Sequence, residues 1–362
     1  MKMVIVNDMV YRYADNDPTA VGGSERYQWL LARALVSAGW CVTVGVHTEL
    51  PYKESREIDG VKFIGIGNGN TLLAWYKFLR RERPDWWQWQ CSSHWLGPAG
   101  FMAKLSRVRL IFSAMHDRDV QPRTALSRRS RWWMLYAWGL LWADRIFVQH
   151  QGQLVGLDPK LQSKAFLLPG IVQLIHRATG DHVNREPYVA WVGVLREVKR
   201  PDLLLEIARQ IPHIHFVVCG GPTAHRTSPG YCERIVRELG SLHNVEYLGH
   251  VPPEDTLGVI AGASILLSTS DEEGFPSVFL EAWSFGTPTV SLNIDPDGII
   301  QHKGLGTLAG NVNKAIADIE FLMKTPEVCK EMAIRAQQHV SEGHCETAAV
   351  RAFEHGLEGA SR

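Results

Sequence analysis

Residues 271–282 read Asp-Glu-Glu-Gly-Phe-Pro-Ser-Val-Phe-Leu-Glu-Ala. An apolar run at residues 265–268 precedes them and reads as a buried strand. A tight Gly274-Phe275-Pro276 turn follows, and Pro276–Ser277 opens a helix over residues 277–285. Free amides in a helix's first turn attract anions. Glu281 lies about one turn inside, and helical side chains lean toward the N-terminus. Its carboxylate can therefore reach the space that Glu273 borders from the loop. Carboxylates accept hydroxyl hydrogen bonds well, so this pair suits a molecule carrying both hydroxyls and phosphate. The plain alternative is two solvated charges.

Working outward, short β-branched runs alternate with longer helical patterns. Strands are expected at residues 3–7, 41–46, 61–66, 85–90, 109–115 and 145–149, with helices at 24–37, 71–83, 95–106 and 124–142. A run at 165–168 closes this half. A second alternation places strands at 188–193, 215–219, 245–248, 265–268 and 289–292. Its helices are expected at 201–210, 231–239, 254–261, 277–285 and 311–323. Such alternation predicts α/β architecture with parallel sheets, here as two Rossmann-like domains. We expect domain one over 1–168, a linker over 169–187, domain two over 188–340, and a C-terminal helix near 341–362 that packs back on domain one. A length of 362 residues suits two domains.

In open parallel sheets, ligands bind beyond the carboxyl ends of the strands, and the unusual residues fall there. A long loop after the first strand ends in Gly22-Gly23-Ser24-Glu25, where two glycines let a backbone approach an anion or sugar and Ser24 can cap the helix. A dinucleotide fingerprint would need Gly-x-Gly-x-x-Gly directly after that strand, and Asn7-Asp8-Met9-Val10 stands there instead. His116-Asp117-Arg118-Asp119 follows the strand at 109–115, His116 being either structural or a site residue. Gly193-Val194-Leu195-Arg196-Glu197-Val198-Lys199 follows the first strand of domain two. Arg196 and Lys199 at a sheet mouth suit a diphosphate, or else a solvated helix cap. Gly220-Gly221-Pro222 follows the next strand.

These residues together resemble the GT-B glycosyltransferases, specifically glycosyltransferase family 4, over nearly the whole chain. Glu273 and Glu281 match that family's E-x7-E pair. Gly22-Gly23, His116-Asp117, Gly193 with Lys199, and Gly220-Gly221-Pro222 match in order and spacing. The resemblance implies two facing domains with an interdomain cleft, and a retaining enzyme that moves a sugar from a nucleotide diphosphate sugar to an acceptor hydroxyl. By the same resemblance, Glu281 holds the ribose, Glu273 the donor sugar and Lys199 the diphosphate. Backbone amides within Phe275–Val278 assist, those of Phe275, Ser277 and Val278 on either side of Pro276, Gly221 lies beside the donor, and His116, Gly22 and Gly23 come from the facing domain. No metal or cofactor is implied, and the acceptor is a saccharide or lipid-linked molecule, as in polysaccharide or glycolipid biosynthesis. Val194 stands where the family carries an Arg, leaving Arg196 as the neighbouring cation, and Pro169-Gly170-Ile171 replaces the usual Pro-Asn-Gly.

Composition bounds the alternatives. Lys plus Arg and Asp plus Glu both number 38, so no basic excess points to nucleic acid. Six scattered cysteines without Cys-x-x-Cys suggest reduced thiols in the cytoplasm. No secretory leader is legible at the start. The apolar run 132–143 falls short of the ~20 residues that span a bilayer. It reads as a core helix or, following Arg128, Arg129 and Arg131, as a peripheral membrane contact over 123–142. Asp-x-Asp occurs at Asp15/Asp17, Asp117/Asp119 and Asp295/Asp297, too freely to mark a metal site. A nucleotide-sugar epimerase or hydrolase and a non-catalytic binding protein are the competing readings.

Overall fold

The computed structural model describes residues 1–17, 22–126, 131–174, 186–223 and 227–359. The chain divides into two units, Met1–Gln173 with His344–Arg362, and Leu174–Gly343. The middle of the expected linker and residues 127–130 of the basic segment lie outside the described residues.

The first unit holds β1 (Lys2–Val6), β2 (Cys41–Val46), β3 (Ser55–Ile58), β4 (Val61–Gly65), β5 (Trp86–Gln90), β6 (Arg109–Ser113), β7 (Arg145–Val148) and β8 (Ala165–Leu167). Their order is β3-β4-β2-β1-β5-β6-β7-β8. Every pairing is parallel except β3 with β4. Sequence reading missed β3, whose Ser-Arg-Glu-Ile has no apolar alternation and lies at the sheet edge.

Period-two alternation decides the layering. Met3 and Ile5 enter one apolar cluster and Val4 the other, while Trp86 and Trp87 divide the same way. Both faces of the sheet are therefore covered by helices. Helix Glu346–Leu357 belongs here. Its Ala349, Val350, Phe353 and Leu357 enter the core with Met3 and Ile5, Trp40 donates to Glu354, and Arg145 donates to the Gly356 carbonyl.

Two expectations need correction. The stretch after β1 is not one long loop: Asp8–Ala14 is helical, started by Asn7, whose side chain accepts from the Met9 amide. Its short length and mixed Tyr and Arg content hide it from periodicity. The single helix expected at 124–142 is instead Pro122–Ala125 and Trp132–Trp142.

The second unit holds β9 (Tyr188–Val192), β10 (His215–Cys219), β11 (Val245–Gly249), β12 (Ile265–Ser268), β13 (Thr289–Ser291) and β14 (Gly306–Leu308). They form one parallel sheet ordered β11-β10-β9-β12-β13-β14. From β9 the chain builds outward through β10 to β11, then returns to β12 on the other flank of β9. The order thus reverses between β9 and β12, a topological switch point where loops diverge and leave room for a ligand. Helix Pro201–Gln210 buries Leu204, Leu205, Ile207 and Ala208 on this unit's core, an i, i+1, i+3, i+4 stripe. Helix Pro326–Gly343 packs on Ser277–Phe285 within the same unit.

Candidate functional site

The chemistry-bearing residues of the second unit follow β9 and β12, the two strands of the switch point. After β9, a short 3-10 turn over Glu197–Lys199 ends in Arg200, which takes a left-handed φ of 50° and leads into Pro201 at the head of the next helix. After β12, residues 269–276 lead to helix Ser277–Phe285.

These loops are stitched together. Trp191 Nε1 donates to Thr269 Oγ1 at 2.9 Å, and Thr269 Oγ1 donates to the Lys199 carbonyl at 2.7 Å. The Asp271 amide donates to the Val198 carbonyl at 2.9 Å. Arg200 bridges Asp202 and Asp271. Hydrogen bonding to Asp202 first, then Asp271, drives its guanidinium pKa upward. On this frame Lys199 Nζ forms an ion pair with Glu273 Oε1. Both side chains are mostly withdrawn from water, at 26% and 16% exposed, so the attraction is screened less than a surface pair would be.

Arg196 lies beside this pair in sequence. Its Nε is buried and has no acceptor among the described residues. A buried donor left unpaired costs about 1–3 kcal/mol. Glu281 is 4% exposed, one turn into helix Ser277–Phe285. That helix has Pro276 at its N-cap, which makes no side-chain capping bond, and Gly286 ends it with φ of 81°. The structure thus brings Lys199 to Glu273 and sets both loops at one switch point, with Arg196 in the segment after β9, Phe275 and Pro276 in the segment after β12, and Ser277, Val278 and Glu281 in the helix that follows.

Gly220 and Gly221 have a packing role. A Cβ on Gly220 would meet the Gly193 carbonyl oxygen at 1.9 Å, so only glycine lets the ends of β9 and β10 lie this close. The Gly221 carbonyl accepts from the Leu195 amide at 3.0 Å.

In the first unit, His116 caps the 3-10 turn Asp117–Val120, its Nδ1 accepting from the Arg118 amide at 3.4 Å. Asp119 is buried, at 3% exposed. Its carboxylate takes the amides of Met115, His116 and Ser92. Asp117 Oδ1 pairs with His150 Nε2 at 2.8 Å and accepts from Gln153 at 3.1 Å. Burial pushes the Asp117 carboxyl up, but these bonds outweigh it and hold the pKa below the usual carboxylate range. Gly22 takes φ of 148°, where a Cβ would strike the Glu25 carboxylate, and helix Gly23–Ser37 begins directly after it. Ser24 does not cap this helix, as expected of it: the start falls one residue earlier, and its hydroxyl donates to Glu25.

Sequence reading missed a neutral relay here. Asn7 donates to Gln28, Gln28 to Gln88, and Gln88 to Ser113. It runs from the end of β1 through helix Gly23–Ser37 to β5 and β6. Gln28, Gln88 and Ser113 are at most 2% exposed. Gln90 adds a bond to the Ser24 carbonyl. The Asp-x-Asp carboxylates are engaged locally: Asp295 with the Ile300 amide, Asp15 with Arg56.

The family model for glycosyl transferases group 1 matches residues 173–339, the span that carries the switch point. The match runs along nearly the whole of the second unit. A relative of this group 1 unit, the D-inositol 3-phosphate glycosyltransferase of Mycobacterium sp. (strain KMS), is 34% identical over 162 residues, covering 41% of this chain and 37% of the relative. The chain spans about a third of the length of the curated relatives it matches. Among solved structures, sucrose-phosphate synthase from Thermosynechococcus elongatus aligns over 100% of both chains with TM-score 0.78 and 18% identity. HepE from Anabaena, solved with UDP and glucose, aligns over 99% of both chains with TM-score 0.76 and 13% identity. At these identities the likeness speaks for the fold, two Rossmann-like α/β units of the GT-B class.

Proposed function

We propose that the chain is a retaining glycosyltransferase that moves a sugar from a nucleotide diphosphate sugar to an acceptor hydroxyl. The observation that carries this reading is the switch point between β9 and β12. There a buried Arg196 Nε without an acceptor among the described residues, a withdrawn Lys199–Glu273 pair and a helix that begins on Pro276 without a side-chain cap from it follow adjacent strand ends. Cations, free amides and carboxylates side by side suit a ligand that is diphosphate at one end and polyhydroxylated at the other.

With the donor bound, Lys199 turns from Glu273 to the diphosphate and Arg196 gains its acceptor. Glu273 is released to the sugar hydroxyls, and Glu281 holds the ribose. The bond from the anomeric carbon to the β-phosphate oxygen breaks, and its electron pair stays on the phosphate. The acceptor oxygen bonds the same carbon from the same face, and its proton passes to the departing phosphate. Fixed charges aimed at developing phosphate charge supply the main rate term. The reading needs no metal, because Arg196, Lys199 and the helix amides meet the phosphate charge. Activity that persists in EDTA checks this point.

The acceptor on this reading is a saccharide or a lipid-linked molecule. Six unpaired thiols fit a reducing compartment such as the cytoplasm. Thermal melting with UDP-, GDP- and ADP-sugars tests the reading. One donor should raise the melting point as RT ln(1 + [L]/Kd) requires, and Lys199→Ala should abolish the shift. If no nucleotide sugar shifts the wild-type protein, the reading fails. Donor turnover without any acceptor would assign a hydrolase or epimerase instead. Product with an inverted anomeric centre would remove the retaining mechanism.

A further inference from the structure

We infer that the paired helices Leu96–Ser106 and Trp132–Trp142 of the first unit form a docking surface for an anionic lipid bilayer.

The two helices cross at unusually short range. A Cβ on Gly139 would fall 2.5 Å from the Leu96 backbone, and one on Gly97 would fall 2.5 Å from the Leu135 carbonyl. Tyr136 is fully buried beneath them and its hydroxyl donates to the Asp119 carbonyl at 2.6 Å. The pair is thus a firm platform tied to the residue that also holds the His116 amide.

Its outer side is apolar. Phe101 and Leu105, one turn apart on the first helix, are 52% and 54% exposed, and Met134, Trp138 and Leu141 on the second are 47%, 54% and 55% exposed. Positions 134, 138 and 141 share one helical face. The patch is continuous, for Trp142 stacks on Trp138 at 5.0 Å and meets Phe101 at 6.1 Å. Apolar patches of this kind mark a surface that is covered in use.

Charge selects the partner. The chain balances its charges overall, yet residues 86–116 carry three Lys or Arg and residues 120–143 carry four Arg, with no Asp or Glu in either stretch. Lys104 lies over the Trp142 ring at 5.4 Å. Asp144, just past the second helix, accepts from the Leu110 amide. Tryptophan and leucine facing outward, with Lys104 over Trp142 and Arg123 over Trp133, is the pattern of a segment lying in the membrane interface. No helix of the described residues is long and apolar enough to cross a membrane, so contact is along the surface.

Flotation with phosphatidylcholine vesicles, and with vesicles in which part is replaced by phosphatidylglycerol, tests this. The full chain should float with the anionic vesicles, release in high salt, and remain below with phosphatidylcholine alone. Trp138→Ser with Leu141→Ser should abolish flotation. Lys104→Glu with Arg131→Glu should weaken it by about tenfold or more, as expected for cations near an anionic surface. All four positions are solvent-facing, and an unchanged melting point confirms that each variant folds. Wild-type protein that stays out of the anionic vesicle fraction overturns the inference, as does flotation that survives both double variants. A dimer that Trp138→Ser with Leu141→Ser dissolves, without vesicle binding, assigns the face to a second copy and overturns it equally.

Discussion

The two units place their special residues after central strands and differ in the side chains that join those strand ends. In the second, the loops after β9 and β12 are fixed by charge: Lys199 on Glu273, Arg200 on Asp202 and Asp271. In the first, the ends of β1, β5 and β6 are joined by neutral amides, Asn7 through Gln28 and Gln88 to Ser113. A charged frame can exchange partners with an incoming anion, because each ion it gives up is met by one the ligand brings. A neutral relay has nothing to exchange, so it acts as scaffold. The first unit therefore reads as the stiff half and the second as the responsive half.

The largest effect that would break this contrast lies at Lys199. Lys199→Ala should lower the rate of sugar transfer by about 10²–10³-fold, the range for removing one group that stabilises developing charge, with donor affinity reduced in a binding titration. Wild-type affinity in that variant would make the charged frame a scaffold too. Next comes Gln88→Leu, which strands the Gln28 amide and the Ser113 hydroxyl in an apolar core. It should cost about 1–3 kcal/mol in denaturant unfolding, while the nucleotide-sugar Kd stays within about twofold of wild type. A large loss of donor affinity would erase the distinction between the units. The smallest effect sharpens the contrast at Asp117, a carboxylate of the first unit paired with His150. Its pKa is depressed in the folded chain, so its contribution is present above the ordinary carboxylate value and is lost as pH falls through the folded value. Asp117→Asn should flatten the acid limb of stability. With the side chain 56% exposed, solvent screening holds the change below about 1 kcal/mol, readable as melting temperature against pH.

The same contrast explains what the sequence made legible. Glu273, Glu281, Lys199 and Arg196 stand out because charges interrupt apolar sequence at predicted strand ends, and their types alone suggest phosphate and hydroxyl chemistry. Gln28 and Gln88 are invisible by that route. One sits in an amphipathic helix and the other inside a Trp-rich strand, and only tertiary packing brings them together across 60 positions of chain. Thr269 and Trp191 were missed for the same reason, as ordinary strand-end residues whose side chains meet only once β9 and β12 pair. Two Rossmann-like α/β halves were readable because period-two and helical patterns are local. The edge strand β3 and the helix Asp8–Ala14 were not, being too short or too polar to carry a period.

The helix Glu346–Leu357 has a consequence for how the protein comes into being. It completes the core of the unit that starts at the other end of the chain, yet it leaves the ribosome after all of Leu174–Gly343. The first unit therefore cannot close its core until Val350, Phe353 and Leu357 have been made. Burial of each such side chain is worth roughly 1.5–3 kcal/mol, against a net domain stability of about 5–15 kcal/mol. The half made first is the half completed last, and until translation reaches Leu357 it presents an open apolar flank to chaperones.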